Sequence, residues 1–175
     1  MQTPLFWHEM ISVHSQESLA EMTEKQPVMV VFLRFFGCSF CREAISDIAQ
    51  RRSKIEAAGL RIVFVHMAPD PATAEKFLKK YRLFPVDHIP DPERRFYQAF
   101  GLQRASSRQL LGFTNWVRGF QAAVIEGHSA AIASAELGDG FQMPGLVVLY
   151  RGETLRSFIH TQAYERPDYE VFARI

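Results

Sequence analysis

The segment F-L-R-F-F-G-C-S-F-C-R-E-A-I-S-D-I, residues 32–48, passes from an apolar run of strand length into a C-x-x-C pair and on into a helical pattern. The run V-M-V-V-F-L-R-F-F, residues 28–36, is rich in β-branched and aromatic residues and does not alternate with polar ones. It therefore reads as a central strand buried on both faces rather than an edge strand. From Ser39 to about Ala58, the residues Phe40, Ala44, Ile45, Ile48, Ile55 and Ala58 recur at helical spacing, and Gly59 stands where a C-terminal cap belongs. L-R-I-V-F-V-H-M-A (60–68) is a second buried strand, Pro69 and Pro71 open a helix over A-T-A-E-K-F-L-K-K-Y-R-L (72–83), and P-V-D-H-I (85–89) is a short third strand. A β-α-β-α-β order of this kind predicts an α/β fold built on a parallel sheet.

The flanks extend this frame. S-Q-E-S-L-A-E-M-T-E-K (15–25) predicts a short helix capped by Ser15 or Ser18, with Pro27 as the breaker before the first strand. D-P-E-R-R-F-Y-Q-A-F-G-L (91–102) predicts a short amphipathic helix ending at Gly101. Between Gln103 and Gln142, Leu110, Phe113, Val117, Phe120 and Val124 fall on one helical face, with Gly127 near its end and a loop after it. After Pro144, G-L-V-V-L-Y and T-L-R-S-F-I-H flank the turn at Arg151-Gly152 and read as a hairpin. P-D-Y-E-V-F-A-R-I closes the chain as a helix with Pro167 in its first turn. With 175 residues, 47% of them hydrophobic, and no repeat or linker, residues 1–175 are expected to form a single domain.

Charge and cysteine usage narrow the chemistry. A net charge of +1, from 20 basic and 19 acidic residues spread along the chain, leaves no electrostatic footprint for nucleic acid or an anionic membrane. No secretory h-region and no membrane-length apolar stretch is present, so a soluble cytoplasmic protein is expected. Thiols there are kept reduced, and the two cysteines, Cys38 and Cys41, then point to catalysis or metal rather than to a structural staple. A disulfide closing so small a loop would add only about 2 kcal/mol of chain entropy. The histidines at 8, 14, 66, 88, 128 and 160 show no H-x3-5-H pairing, which disfavours a zinc site, and no metal is expected. His66 and His88, near predicted strand ends, read as hydrogen-bonded histidines. A cysteine with a pKa near 8.5 is about 3% thiolate at neutral pH. At the start of a helix, the unpaired N–H groups and the macrodipole favour the anion, and a pKa of roughly 6.5 would make about three quarters of Cys38 thiolate. Cys41, one turn further in and more buried, suits the resolving role.

The order of a strand, a C-x-x-C opening a helix, a β-α-β crossover, a residue-Pro before a hairpin and a final helix resembles the thioredoxin fold. The resemblance implies a central mixed sheet flanked by helices, with a helical insertion at about 103–142 before the cis-Pro loop. Met143-Pro144 stands at that loop, which implies a cis bond and a substrate groove beside Cys38. More closely, V-V-F-L-R-F-F-G-C-S-F-C-R-E-A-I-S-D-I, F-Y-Q-A-F-G-L and G-D-G-F-Q-M-P-G-L-V-V-L-Y-R-G-E together are similar to the AhpC/TSA-related group often called peroxiredoxin-like family 2. That group implies an antioxidant or redox-regulatory role in cell redox homeostasis. The chain departs from peroxiredoxins in carrying Val31 and Phe35 where they place Pro and Thr. It departs from thioredoxins in carrying Phe32, Gly37 and Ser39-Phe40 where they place a buried Asp, a Trp and Gly-Pro.

These readings make Cys38 and Cys41 the candidate catalytic pair and Phe40, Met143 and Pro144 the candidate substrate contacts. Arg34, on an otherwise apolar strand, either stabilises the Cys38 thiolate, binds an anionic substrate or makes a salt bridge at a sheet end; Arg42 is open to the same readings. The leading function is a thiol-disulfide oxidoreductase with a cycling pair. The alternatives are a thiol peroxidase passing through a Cys38 sulfenic acid, and a non-catalytic binding module using Trp116 and Phe120. No bound cofactor is expected. The expected partners are a protein or small-molecule disulfide or a peroxide as substrate, and an external thiol reductant such as glutathione or thioredoxin.

Overall fold

Every residue of β1 (Val28–Phe32) is buried, because the strand is paired along both edges and covered on both faces. The computed structural model describes residues 3–34, 36, 39–105, 133–134, 138–161 and 165–175. A 3-10 turn (Leu5–His8) and α1 (Leu19–Lys25) precede β1. After it come α2 (Ser39–Ala57), β2 (Arg61–His66), α3 (Pro71–Lys80), β3 (Asp87–Pro90) and α4 (Arg95–Ala99). A two-residue ribbon of β4 (Ala133–Ser134) and β5 (Gly138–Asp139) is followed by the hairpin β6 (Gly145–Tyr150) and β7 (Glu153–Ile159), and α5 (Tyr169–Phe172) closes the chain.

The five-stranded sheet runs β3-β2-β1-β6-β7. β1 pairs parallel with β2, Val28 opposite Arg61 and Phe32 opposite Val65, and antiparallel with β6, Val28 opposite Leu149 and Phe32 opposite Gly145. Met29, Val31, Ile62, Phe64, Leu146 and Val148 form one face and pack on Ile45, Ile48 and Ile55 of α2, on α3 and on Tyr169. Val28, Val30, Phe32, Val63, Val65, Val147 and Leu149 form the other and pack on Trp7, Met10, α1 and Tyr97 of α4. Two covered faces are the reason the central strands carry no polar alternation. The parallel β1–β2–β3 half is the one the β-α-β-α-β order predicts, and the mixed sheet flanked by helices is the one the resemblance implies.

Local chemistry sets the ends. Ser18 caps α1: its hydroxyl accepts from the Glu21 amide (3.2 Å) while the Glu21 carboxylate accepts from the Ser18 amide (2.8 Å). Asp70 caps α3, with Pro71 at its first position. Gly59, at φ +89, turns the chain out of α2 in the left-handed region.

Several boundaries differ from the sequence reading. β1 stops at Phe32, where its antiparallel neighbour begins at Gly145; beyond it the Leu33 amide bonds the Val65 carbonyl (2.9 Å). α3 ends at Lys80, and Arg82 adopts φ +60. α4 is shorter than expected because Asp91 folds back to accept from the amides of Arg95, Phe96 and Tyr97. Pro167 precedes the α5 cap, which is Asp168. Among the described residues the cis peptide bond is Phe84–Pro85, so Met143–Pro144 is trans, against the cis-Pro expectation. The segment entering Pro144 is held extended: Gln142 forms a bridge with Arg104, and the Met143 amide donates to the Gln103 carbonyl (3.2 Å). A trans bond carries this extended course straight into β6. The helix expected over Leu110–Val124, with Trp116 and Phe120, lies outside the described residues.

Ser18→Ala removes both halves of the capping box and is expected to lower unfolding free energy by about 1 kcal/mol. Urea unfolding followed by far-UV circular dichroism checks this; an unchanged midpoint would show that the box contributes nothing.

Candidate functional site

Arg34 follows the end of β1 and is 3% exposed. A guanidinium buried to that degree needs acceptors. Its Nε donates to the Gln142 carbonyl (3.1 Å), and a terminal nitrogen donates to the Gly140 carbonyl. Gln142, itself buried, donates from its side chain to the carbonyls of Leu102 (3.0 Å) and Met143 (3.2 Å). These bonds draw the chain ahead of Pro144 onto the end of β1. Tyr97 secures the neighbouring strand ends, its hydroxyl lying within hydrogen-bond reach of the carbonyls of Leu33 (2.5 Å) and Val65 (3.0 Å).

α2 starts at Ser39, next in sequence to Cys38, and Cys41 in its first turn is buried at 4% exposure. A cavity of about 30 Å³ opens beside it, with Arg34, Cys41, Pro144, His160, Glu165 and Tyr169 on its walls. That is room for a water molecule or two. Burial pushes the Tyr169 phenol well up, with Asp47 and Cys41 adding to the shift. Burial likewise pushes Tyr97 up, and Cys41 again contributes.

The structure therefore brings together Arg34, Cys41 and Pro144 of the expected site residues. Met143 is buried at 7% but does not line this cavity, and Arg42 is half-buried on α2 away from it. Cys38 and the Phe40 side chain lie outside the described residues, as does Phe35. Val31 is buried in the sheet opposite Phe64 and Leu146. Among the described residues, no three His, Cys, Asp or Glu side chains cluster as metal ligands, and no helix is long and apolar enough to cross a membrane.

His160 is the site residue that sequence reasoning missed. Gly145 pairs with Ile159, so the next positions outward, Pro144 and His160, lie side by side at the mouth of the hairpin. Phe158, two residues before, packs on the α2 side of the sheet and meets the His160 ring edge-on at 4.8 Å. The imidazole hydrogen-bonds toward the backbone of Pro144 and Glu165, contacts that favour its protonated form, while its Nδ1 is buried with no hydrogen-bond partner among the described residues. Burial lowers its pKa, outweighing the upward pull of Glu165.

His66 and His88 behave as the sequence suggests: they bond each other, Nε2 to Nδ1, at 3.0 Å in the interior. Burial, with His88 adding to it, lowers His66 to about 3, and burial also lowers His88. Next to them Phe36 stacks on Phe77 at 4.7 Å, fixing part of the turn between β1 and α2.

The mixed five-stranded sheet with helices on both faces is the thioredoxin-like fold of peroxiredoxins, with a cavity at the C-terminal end of β1. The chain belongs to the AhpC/TSA antioxidant enzyme family, which matches residues 47–162; the match begins beyond Cys41. Among curated relatives, the prostamide/prostaglandin F synthase of Sus scrofa is 29% identical over 136 residues, covering 77% of this chain and 64% of that protein. The Bos taurus enzyme of the same name is 25% identical over 134 residues, covering 77% of this chain and 65% of its own length. The chain thus spans slightly less than two thirds of these relatives. Among solved structures, peroxidoxin BcpB from Mycobacterium tuberculosis superposes with a TM-score of 0.62 at 12% identity, over 94% of this chain and 90% of that one. Peroxiredoxin 6 of Arenicola marina gives 0.61 at 9% identity, over 90% and 62%.

Two expectations follow. Arg34→Met leaves the Gly140 and Gln142 carbonyls without their donor and should cost on the order of 3 kcal/mol, read as a fall in the urea midpoint; a loss no larger than that of Ser18→Ala would contradict it. Because the unfolded chain takes up a proton on His66 below about pH 6.5 that the folded chain refuses until about pH 3, stability should be complete above about pH 7 and fall through that window. The slope is at most about 1.4 kcal/mol per pH unit per histidine, with His88 and His160 acting in the same direction. Urea midpoints at pH 7.5 and 5.5 check it; an equal or higher midpoint at the lower pH would refute it.

Proposed function

We propose that the protein is a thiol-dependent reductase in which Cys38 is the nucleophile and Cys41 the resolving thiol. The Cys38 thiolate attacks one sulfur of a substrate disulfide, forming a mixed disulfide and expelling the other sulfur as a thiolate. Cys41, as thiolate, then attacks Cys38, the Cys38–Cys41 bond forms, and the remaining substrate sulfur leaves. The substrate gains two electrons and the pair loses them. An external thiol such as glutathione or thioredoxin, in a reducing cytoplasm, returns the pair to the dithiol, and no bound cofactor is required. The observation that carries this reading is the burial of Cys41 in the first turn of α2, on the wall of a cavity shared with Arg34 and Pro144. A thiol so shielded from outside reagents suits attack on a partner held close by.

Membership of an antioxidant enzyme family supports a second reading, in which a peroxide takes the place of the disulfide. Cys38 attacks the peroxide, becomes a sulfenic acid and releases an alcohol or water; Cys41 condenses with it and expels water. The names of the mammalian relatives add prostaglandin-type small molecules to the substrates worth testing. Phe40, Met143 and Pro144 remain the proposed substrate contacts in both readings, with Arg34 and Arg42 as proposed stabilisers of the thiolate.

Cys38→Ser should abolish turnover of disulfide and peroxide alike, whereas Cys41→Ser should stop after one mixed disulfide or sulfenic acid, visible as a mass adduct on Cys38. Wild-type Cys38 should alkylate fastest with a pKa below about 7.5. A Cys38 that titrates above about 8.5 and reacts no faster than a small thiol would sink the proposal. Comparing the two substrate classes by stopped flow decides between the readings: a peroxide rate constant no better than that of free cysteine eliminates the second.

A further inference from the structure

Resolution by a buried thiol needs a proton acceptor, since an apolar site holds a cysteine in its neutral form. Phe32 of the central strand, buried at 1% exposure, supplies none. The cavity beside Cys41 therefore limits the choice. Arg34 and Arg166 are cations. Tyr169 keeps its proton, because its phenol is pushed up. Glu165 is engaged at both carboxylate oxygens, accepting from the Thr161 amide (2.7 Å) and from the Thr161 hydroxyl (2.8 Å). Among the described residues of the wall, His160, next after the end of β7, remains.

We propose that His160 accepts the Cys41 proton, directly or through one water in the cavity that the two side chains share. The inference rests on the thiol cycle proposed above. In the resolving step the Cys41 S–H bond breaks and its proton passes to the neutral imidazole. The resulting thiolate attacks Cys38, the substrate sulfur departs with the electron pair of the broken bond, and the imidazolium returns the proton to it. Because burial lowers its pKa, the ring is neutral and ready to accept at pH 7. The groups facing His160 fit this exchange: the Glu165 carboxylate, before α5, favours the imidazolium, while the Arg34 cation, after β1, favours the thiolate. Arg166, Tyr169 of α5 and Cys41 of α2 line the same cavity, and the Pro144 backbone hydrogen-bonds toward the ring.

An aryl disulfide with a chromogenic leaving thiolate separates the steps, since attack by Cys38 releases one equivalent and resolution by Cys41 releases a second. In His160→Gln the first phase should stay within about twofold of wild type, while the second slows about a hundredfold at pH 7. The slowed phase should also rise tenfold per pH unit, as expected when hydroxide must remove the proton. Two equivalents in wild type with an unchanged second phase and pH profile in His160→Gln would overturn the role of His160 alone. Absence of the second equivalent in wild type would overturn the cycle and this inference with it. If His160→Gln fails to fold, the wild-type His160 ring signal in an NMR pH titration serves instead. It should show a second inflection where Cys41 ionises that is missing in Cys41→Ala, and identical curves for the two proteins would overturn the proposal.

Discussion

The arrangement around the cavity depends on one buried cation. Arg34 sits after the last residue of the central strand, nearly closed off from solvent, and backbone carbonyls converge on its charge. Those carbonyls belong to Gly140 and Gln142, more than a hundred residues away in sequence, and by accepting from Arg34 they bring the approach to Pro144 against β1. β6 then starts at Gly145 opposite Phe32, and the hairpin carries His160 to the same end of the sheet. A Cβ on Gly145 would overlap the Leu102 side chain, so the absence of a side chain there lets the returning strand close in.

A second consequence of this packing is electrostatic. The interior holds imidazoles in their neutral form: His66 through burial and the neighbouring His88, His88 through burial, and His160 through burial with Arg34 acting in the same direction. A neutral ring can hydrogen-bond without placing a charge in a dry interior, whereas a protonated one would carry a charge there. The Asp91 carboxyl, by contrast, is pushed up by burial although three amides donate to it, and those bonds make it the anchor of α4. α4 in turn positions Tyr97, whose hydroxyl holds the ends of β1 and β2 together. The supports of the cavity thus come from segments on both faces of the sheet.

Much of this was legible before any coordinates. Unalternating runs identified β1 and β2 as central strands, because a strand covered on both faces has no solvent side on which to place polar residues. Ser15 or Ser18, and Pro69 with Pro71, marked helix starts in the sequence; the structure settles on Ser18, paired with Glu21, and on Asp70 before Pro71. Arg34 stood out as a charge in an apolar run, but its partners could not be read, because nothing local specifies which distant carbonyls will reach it. The cis bond implied for Met143–Pro144 is not found; the chain ahead of it pairs instead with residues 103 and 104, a long-range contact that nothing in the local sequence specifies.

His160 shows the division most clearly. In β7, Leu155 is an extra residue between the partners of Leu149 and Val148, Thr154 and Arg156. Without this bulge, Pro144 would face Ile159, and His160 would fall on the opposite side of the sheet. By itself the sequence determined the order of strands and helices, the hairpin and the placing of a cysteine pair at a strand-to-helix junction, because those depend on periodicity and caps within a few residues. Only the tertiary structure decided that Arg34, Cys41, Pro144 and His160 share one cavity, because that depends on hydrogen bonds and a register shift between segments far apart in the chain.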